Sequence, residues 1–228
     1  MTNGRLAPGP AAQVDWDHPL AAGLTVLAVA QGAHWASYAT GSIAQFAPVN
    51  SPRATRYGLG YDHAGNTSTN GNPRISGFVS HTGPVSYFTA GLYTGSGVSA
   101  FKGIMANRGG VVNGLMTGSV TPVVNLAYNN NDSLLQGPTL TEPTPIAIVG
   151  SVSTTSMRLR VNNTVTTGAG QTAASVAGSI EIGGDNWSGA SPRMLLGTLN
   201  IVGMSLRQWS ASEEAMFIAD PFCMFQED

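Results

Sequence analysis

Ser179-Ile180-Glu181-Ile182-Gly183-Gly184-Asp185-Asn186, then Leu199-Asn200-Ile201-Val202-Gly203-Met204-Ser205-Leu206, then Trp209-Ser210-Ala211-Ser212-Glu213 decide the fold. Ile180 and Ile182 flank Glu181 in the two-residue alternation of a half-buried strand, and the glycine pair with Asp185 and Asn186 supplies turn chemistry. Residues 199–206 read as the return strand. Their apolar phase switches from Leu199/Ile201 to Val202/Met204/Leu206, which predicts burial on both faces or a bulge near Gly203. Ser210, three residues before Glu213, makes a capping box in which hydroxyl and carboxylate each satisfy an open N–H at a helix start. That helix is expected to turn Ala215, Met216, Phe217 and Ala219 toward a core. It should stop at Asp220, because Pro221 lacks an N–H and disfavours helix in the residue before it.

Further strands follow from the same alternation upstream. Leu24/Val26/Ala28, Phe88/Ala90/Leu92 (with Tyr87, Thr89 and Tyr93 opposite) and Val124/Leu126/Tyr128 each mark one face, and residues 145–149 are apolar throughout, as in a strand covered on both sides. The clearest hairpin is Met157-Arg158-Leu159-Arg160-Val161, turning at Asn162-Asn163 into Thr164-Val165-Thr166. A two-residue turn of this kind asks for positive φ at both central positions, which asparagine tolerates. Met157, Leu159 and Val161 share a face, and Arg158 and Arg160 on the other are expected as solvated cover. Residues 31–74 are loop-rich. Residues 1–13, rich in Pro, Gly and Ala and without a period, read as an extended arm, and residues 14–228 as one β domain. Recurrent short strands with a single confident helix predict two packed antiparallel sheets.

Composition bounds the function. Of 228 residues 42% are hydrophobic, enough for a core, but only 10% are charged, against about 25% in ordinary domains. A formal net charge of −2, with Lys and Arg scattered, gives no footprint for nucleic acid. No apolar run reaches the ~18 residues of a membrane span. Residues 20–30 resemble the core of a secretion signal, but Arg5 is set against Asp15 and Asp17 where a positive flank belongs, so a buried strand is expected there. The single cysteine, Cys223, sits beside Phe222, Met224 and Phe225 and is expected as a buried thiol that makes no intrachain disulfide.

Motifs of catalysis are weak. There is no Gly-x-Ser-x-Gly elbow, and His18, His34, His63 and His81 lack zinc spacing and are expected on surfaces or turns. Gly95-Ser96-Gly97-Val98-Ser99-Ala100 fits a dinucleotide fingerprint in form, yet Lys102-Gly103 follows where a helix should run, so a hairpin loop is expected. Residues 129–132 offer oxygen ligands for calcium, but with one carboxylate an Asx-rich turn is the better reading, and no cofactor is expected. Flat rings beside amides and acids could hold a sugar. The candidate glycan platform comprises Tyr57, Tyr61, Asp62, Asp185, Asn186 and Trp187, with Trp35/Tyr38 as a further pair. Trp16 and Trp209 are expected in the core, where tryptophan is mostly found.

The Trp16-Asp17-His18-Pro19-Leu20-Ala21-Ala22-Gly23-Leu24 opening, the Arg56-Tyr57-Gly58 step, the Arg160-Val161-Asn162-Asn163 hairpin, the Ile180-Glu181-Ile182-Gly183-Gly184 strand and the close over residues 206–225 resemble laminin-G-like, concanavalin A-like jelly-roll proteins. More narrowly, they resemble versions encoded by tailed bacteriophages. The resemblance spans about residues 16–225 and implies an all-β jelly-roll β-sandwich of two antiparallel sheets with one short C-terminal helix. Glucanases of this fold carry Glu-x-Asp-x-x-Glu on a strand. Here Gly183 stands where the aspartate after Glu181 should be, and the expectation is that the chain is not an enzyme. The function expected is that of a virion structural protein on the outer surface of the particle, foremost a capsid decoration or cement protein. It would contact the major capsid protein or tail proteins as a homo-oligomer, with the arm (Thr2, Arg5, Leu6, Pro8, Pro10, Gln13) lying along a neighbouring subunit. The alternative is a carbohydrate-binding receptor-recognition module of a tail or fibre protein that engages a host surface glycan. No nucleic acid or membrane partner is expected.

Overall fold

Strand-forming segments fill the chain, and the computed structural model arranges them as two antiparallel sheets. It describes residues 7–9, 11–39, 42–44, 52–63, 73–77, 81–95, 102–108, 112–118, 121–129, 131–172, 175–176, 178–184 and 195–226. The larger sheet runs in spatial order Thr164–Ala169, Ser156–Val161, Thr144–Val152, Val85–Gly95, Leu196–Ser205, Leu24–Ala30 and Trp35–Ser37, and Arg53–Thr55 and Gly58–Asp62 join it through Leu196–Ser205. The second runs Asn131–Thr139, Val123–Tyr128, Val112–Thr117, Lys102–Arg108, Ile180–Ile182, Arg74–Ser76 and Ser42–Ala44. Neighbours in space are often distant in sequence: Leu24–Ala30 pairs with Leu196–Ser205. These crossovers make an all-β sandwich of the two antiparallel sheets that the alternation predicts, in the jelly-roll form that the resemblance implies.

Alternation also sends the larger sheet's apolar residues into two clusters, one on each face. Val26, Ala28, Tyr87, Tyr93, Ile146, Ile148 and Met204 pack with Leu115 and Leu126 between the sheets. Their neighbours along the same strands, Leu27, Val29, Phe88, Ala90, Ala147, Val149 and Ile201, point the other way, into a second cluster under Trp209, Phe217 and Phe222. Phe88 stacks on Trp209 at 4.6 Å and meets Phe217 edge-on at 5.0 Å. This double cover explains the unbroken apolar runs. Strand Leu196–Ser205 is buried on both faces, as expected, but its register against Val85–Gly95 slips between Leu199 and Ile201 and not at Gly203. Gly203 serves packing: a Cβ there would stand 2.0 Å from the Phe88 ring.

The helix spans Ala211–Ala219 with the capping box formed on both sides. Ser210 Oγ accepts from the Glu213 amide at 3.3 Å, and Glu213 Oε2 accepts from the Ser210 amide at 2.7 Å. Asp220 ends it before Pro221. Its inward face is Glu214, Phe217 and Ile218, the i, i+3, i+4 stripe of a helix on a sheet, while Ala215, Met216 and Ala219 face outward, contrary to expectation. The hairpin closes with Val161 opposite Thr164, but only Asn162 takes positive φ, at 50°. Its amide explains why: Oδ1 accepts from the Ala147 N–H at 2.9 Å and Nδ2 donates to the Pro145 carbonyl at 3.1 Å, tying the turn to the adjacent strand.

The described part of the N-terminal arm lies on its own sandwich. Ala7 N donates to the Tyr57 carbonyl (3.0 Å), Gln31 Nε2 to the Pro8 carbonyl (2.7 Å), and Gln226 N to the Gln13 carbonyl (2.9 Å). Thr2, Arg5, Leu6 and Pro10 lie outside the described residues. Cys223 is half-buried, more open than expected. Among the described residues, no helix is long and apolar enough to cross a membrane.

Candidate functional site

Two distant segments meet near the ends of the chain. Val14 and Phe225 form an antiparallel bridge, flanked by Asp15 N donating to the Met224 carbonyl at 2.8 Å. The chain then turns sharply. Asp15 Oδ1 accepts from the Asp17 amide at 3.1 Å, the Asp15 carbonyl accepts from the His18 amide at 3.1 Å, and His18 Nδ1 caps the Pro19–Ala21 3-10 turn through the Leu20 amide at 3.2 Å. This turn throws Trp16 outward, 59% exposed. Opposite, Tyr38 is fixed by the edge-on Phe225 ring at 5.0 Å and by its hydroxyl, which donates to the Gly9 carbonyl at 3.0 Å. Burial raises the Tyr38 phenol above its ordinary value, which keeps it a donor.

Trp16, Tyr38, Asp15, Asp17, Gln13 and Gln226 line a cleft of about 450 Å³. No cation pairs with Asp15 or Asp17 among the described residues. An apolar ring face, open carboxylates and two amides, held on a hydrogen-bonded floor, can stack on one face of a pyranose and take hydroxyl hydrogen bonds along its edge.

Of the expected glycan residues, the described ones, Tyr57, Tyr61 and Asp62, do not form an exposed platform. Tyr57 and Tyr61 are each 2% exposed. Gly58–Asp62 pairs with Leu196–Ser205, which turns Tyr61 inward onto Trp35 (ring centroids 6.2 Å) and His63 (4.8 Å). Tyr57 is covered on its outer side by Arg56, 4.6 Å from its ring centre. Asp62 is half-buried, and Asp185, Asn186 and Trp187 lie outside the described residues. Trp35 and Trp209 are buried, whereas Trp16, expected in the core, is open to solvent. A signal for Trp16 was present: a lone aromatic between two aspartates, three residues before a proline, has the make-up of an exposed turn.

Other expectations are corrected by burial. His63 is fully buried, neither ring nitrogen has a hydrogen-bond partner among the described residues, and desolvation lowers its pKa to about 3. Gly183, at φ 69°, makes room for it, since a Cβ there would lie 2.0 Å from His63 Nδ1. Arg158 and Arg160 are not solvated cover, because the helix lies over that face. Arg158 Nε donates to both oxygens of the buried Glu214 at 3.1 Å, and Arg160 Nε stands 3.6 Å away. Burial raises the Glu214 pKa against the pull of both arginines. One residue earlier the balance reverses: burial raises the Glu213 pKa, but hydrogen bonds from Arg207 and Ser210 bring it below the usual value. Asn129 takes φ 53° at its turn, and its amide donates to Asn113 Oδ1 at 2.9 Å. Among the described residues, no three His, Cys, Asp or Glu side chains gather as a metal site. Gly95 ends a strand, and residues 96–101 of the fingerprint loop lie outside the described residues.

No family model and no curated protein sequence matches the chain. Solved structures do. A Trypanosoma rangeli sialidase in complex with sialic acid matches with TM-score 0.57 at 14% identity, over 89% of this chain and 33% of that one. The same sialidase as a covalent intermediate with 2,3-difluorosialic acid gives 0.59 at 15% identity, over 89% and 34%. Botulinum neurotoxin type C, whose cell entry depends on two ganglioside molecules, gives 0.58 at 8% identity, over 86% and 50%. The chain therefore spans about a third of the sialidase chains and half of the toxin chain. At such identities the likeness establishes the β-sandwich fold. The expectation that the chain is not an enzyme is corrected by these matches: the fold it adopts is one found in sialidases, so the missing glucanase strand is no ground for excluding catalysis.

Proposed function

We propose that this chain is a carbohydrate-recognition β-sandwich that holds a saccharide in the Trp16 cleft. The observation that carries the reading is a tryptophan 59% exposed, set in a formed cleft with carboxylates and amides. Leaving so large an apolar surface in water is unfavourable, and a sugar's C–H face relieves that cost while its hydroxyls meet Asp15, Asp17, Gln13 and Gln226. Proteins of like fold that engage sialic acid or gangliosides support the same class of ligand. On this reading the chain belongs to a tail or fibre protein on the outer surface of a virion, and its ligand is a host surface glycan. The phage-type sequence pattern supports that setting. The second reading is a capsid decoration protein, homo-oligomeric and in contact with other virion proteins, with residues 1–13 as the assembly arm; the content of only 10% charged residues favours it.

The test is a glycan array probed with the purified chain and with Trp16→Ala. Binding to a defined set of glycans that disappears in the variant, with thermal stability kept, is the expected result. Binding that survives the substitution removes the cleft from the proposal.

A further inference from the structure

Two motifs that the Trp16 cleft leaves unused, Arg56-Tyr57-Gly58 and Arg160-Val161-Asn162-Asn163, lie more than a hundred residues apart and meet in the fold. Their arginines line one groove of about 440 Å³, walled by Ala215, Ile218 and Ala219 of the helix and by Asn163 of the hairpin turn, and among the described residues no carboxylate lines it. The outward turn of Ala215 and Ala219 makes that wall.

The charge beneath the groove is unbalanced. Glu214 is the one carboxylate shared by Arg158 and Arg160, and both of its oxygens are already held by Arg158 Nε at 3.1 Å. Arg160 Nε is buried, makes no hydrogen bond and stands 3.6 Å from Glu214 Oε2. Arg56 is exposed over the Tyr57 ring and makes no ion pair among the described residues. Two guanidinium groups, those of Arg56 and Arg160, thus line the groove, while the nearby Glu214 carboxylate is already engaged by Arg158, in a chain whose formal net charge is −2. A guanidinium presents a planar fork of donors that matches an oxyanion, and it is weakly hydrated enough to do so beside apolar walls.

The geometry points to a second binding site here, for an acidic saccharide. Arg56 and Arg160 take its carboxylate or sulfate ester, Asn163 takes a neighbouring hydroxyl, and the Ala215/Ile218 wall lies against the C–H face of the ring. The site is separate from the Trp16 cleft and does not rest on it.

Calorimetric titration of the full chain tests this with four ligands: an oligouronate, its methyl ester, a sulfated oligosaccharide and inorganic sulfate. The expected result is binding of at least one acidic saccharide, weakened about tenfold or more by Arg56→Ala, a loss of about 1.4 kcal/mol. Methyl esterification should abolish the oligouronate's binding if that is the ligand. Arg56 is exposed, so its variant should keep the parental melting temperature. Uronate against sulfated ligand identifies the anion. Several results would overturn the site: neither acidic saccharide binding, the ester binding as well as the acid, Arg56→Ala binding like the parent, or inorganic sulfate matching the saccharides, which would mean an adventitious ion only.

Discussion

Trp35–Tyr61–His63 and Trp16–Tyr38 are both aromatic groups with polar company, and they live by opposite rules. In the first, strand alternation turns every ring inward, His63 is fully buried, and among the described residues its ring nitrogens find no hydrogen bond. In the second, a tight turn ejects Trp16, and the open polar groups face water. An unpaired polar atom in a dry interior costs stability; the same atom beside an exposed ring is available to a ligand. Chemical type alone does not separate the two regions, and exposure does.

The largest expected effect lies in the sealed region. Gly183→Ala puts a Cβ into the His63 ring at a φ of 69°. Backbone strain and overpacking together should cost about 4 kcal/mol, read by denaturant unfolding; a loss under ~1 kcal/mol would show that the seal yields easily. Next is acidity. Above the ordinary histidine value of 6.5, His63 is neutral whether the chain is folded or not. As the pH falls below 6.5 the unfolded chain takes up a proton that the folded one refuses until about 3. Stability present above 6.5 is therefore lost on the acid side, by about 1.4 kcal/mol for each pH unit, or roughly 3 kcal/mol over the first two. His63→Phe should remove that share of the slope, and parallel pH profiles for the two proteins would contradict the burial.

Effects in the open region should appear in binding and leave stability alone. Trp16→Ala is expected to lose about 2 kcal/mol of glycan affinity, roughly thirtyfold, with unfolding changed by less than ~0.5 kcal/mol. Asp17→Asn should cost about 1 kcal/mol of affinity, the worth of one hydrogen bond. If Asp17→Asn outweighs Trp16→Ala, hydrogen bonding and not stacking governs the cleft.

Much of the architecture was legible because it rests on local rules. Ser210 and Glu213 announce the helix start, Pro221 its end, and Ile180/Ile182 and Met157/Leu159/Val161 their strands. What escaped is what other elements impose. Arg158 and Arg160 share a strand face as the alternation says, but nothing local reveals that a helix fifty residues on will lie over it. In the hairpin turn Asn162 takes positive φ and Asn163 does not, because the Asn162 amide answers to Pro145 and Ala147. Tyr61, expected on a platform, is in the core and Trp16, expected in the core, is exposed, because sheet pairing decides the one and a tight turn the other, and neither is written in the residue type.

The Val14–Phe225 bridge has a mechanical corollary. Tension applied through the two ends of the described chain would meet this single rung before any full sheet, peeling it like the last tooth of a zipper. The bonds from Ala7, Pro8 and Gly9 to Tyr57, Gln31 and Tyr38 would part first on the N-terminal side, and Gln13, Asp15, Trp16 and Gln226 next, so a load along the backbone would open the cleft while the jelly roll behind it still stood.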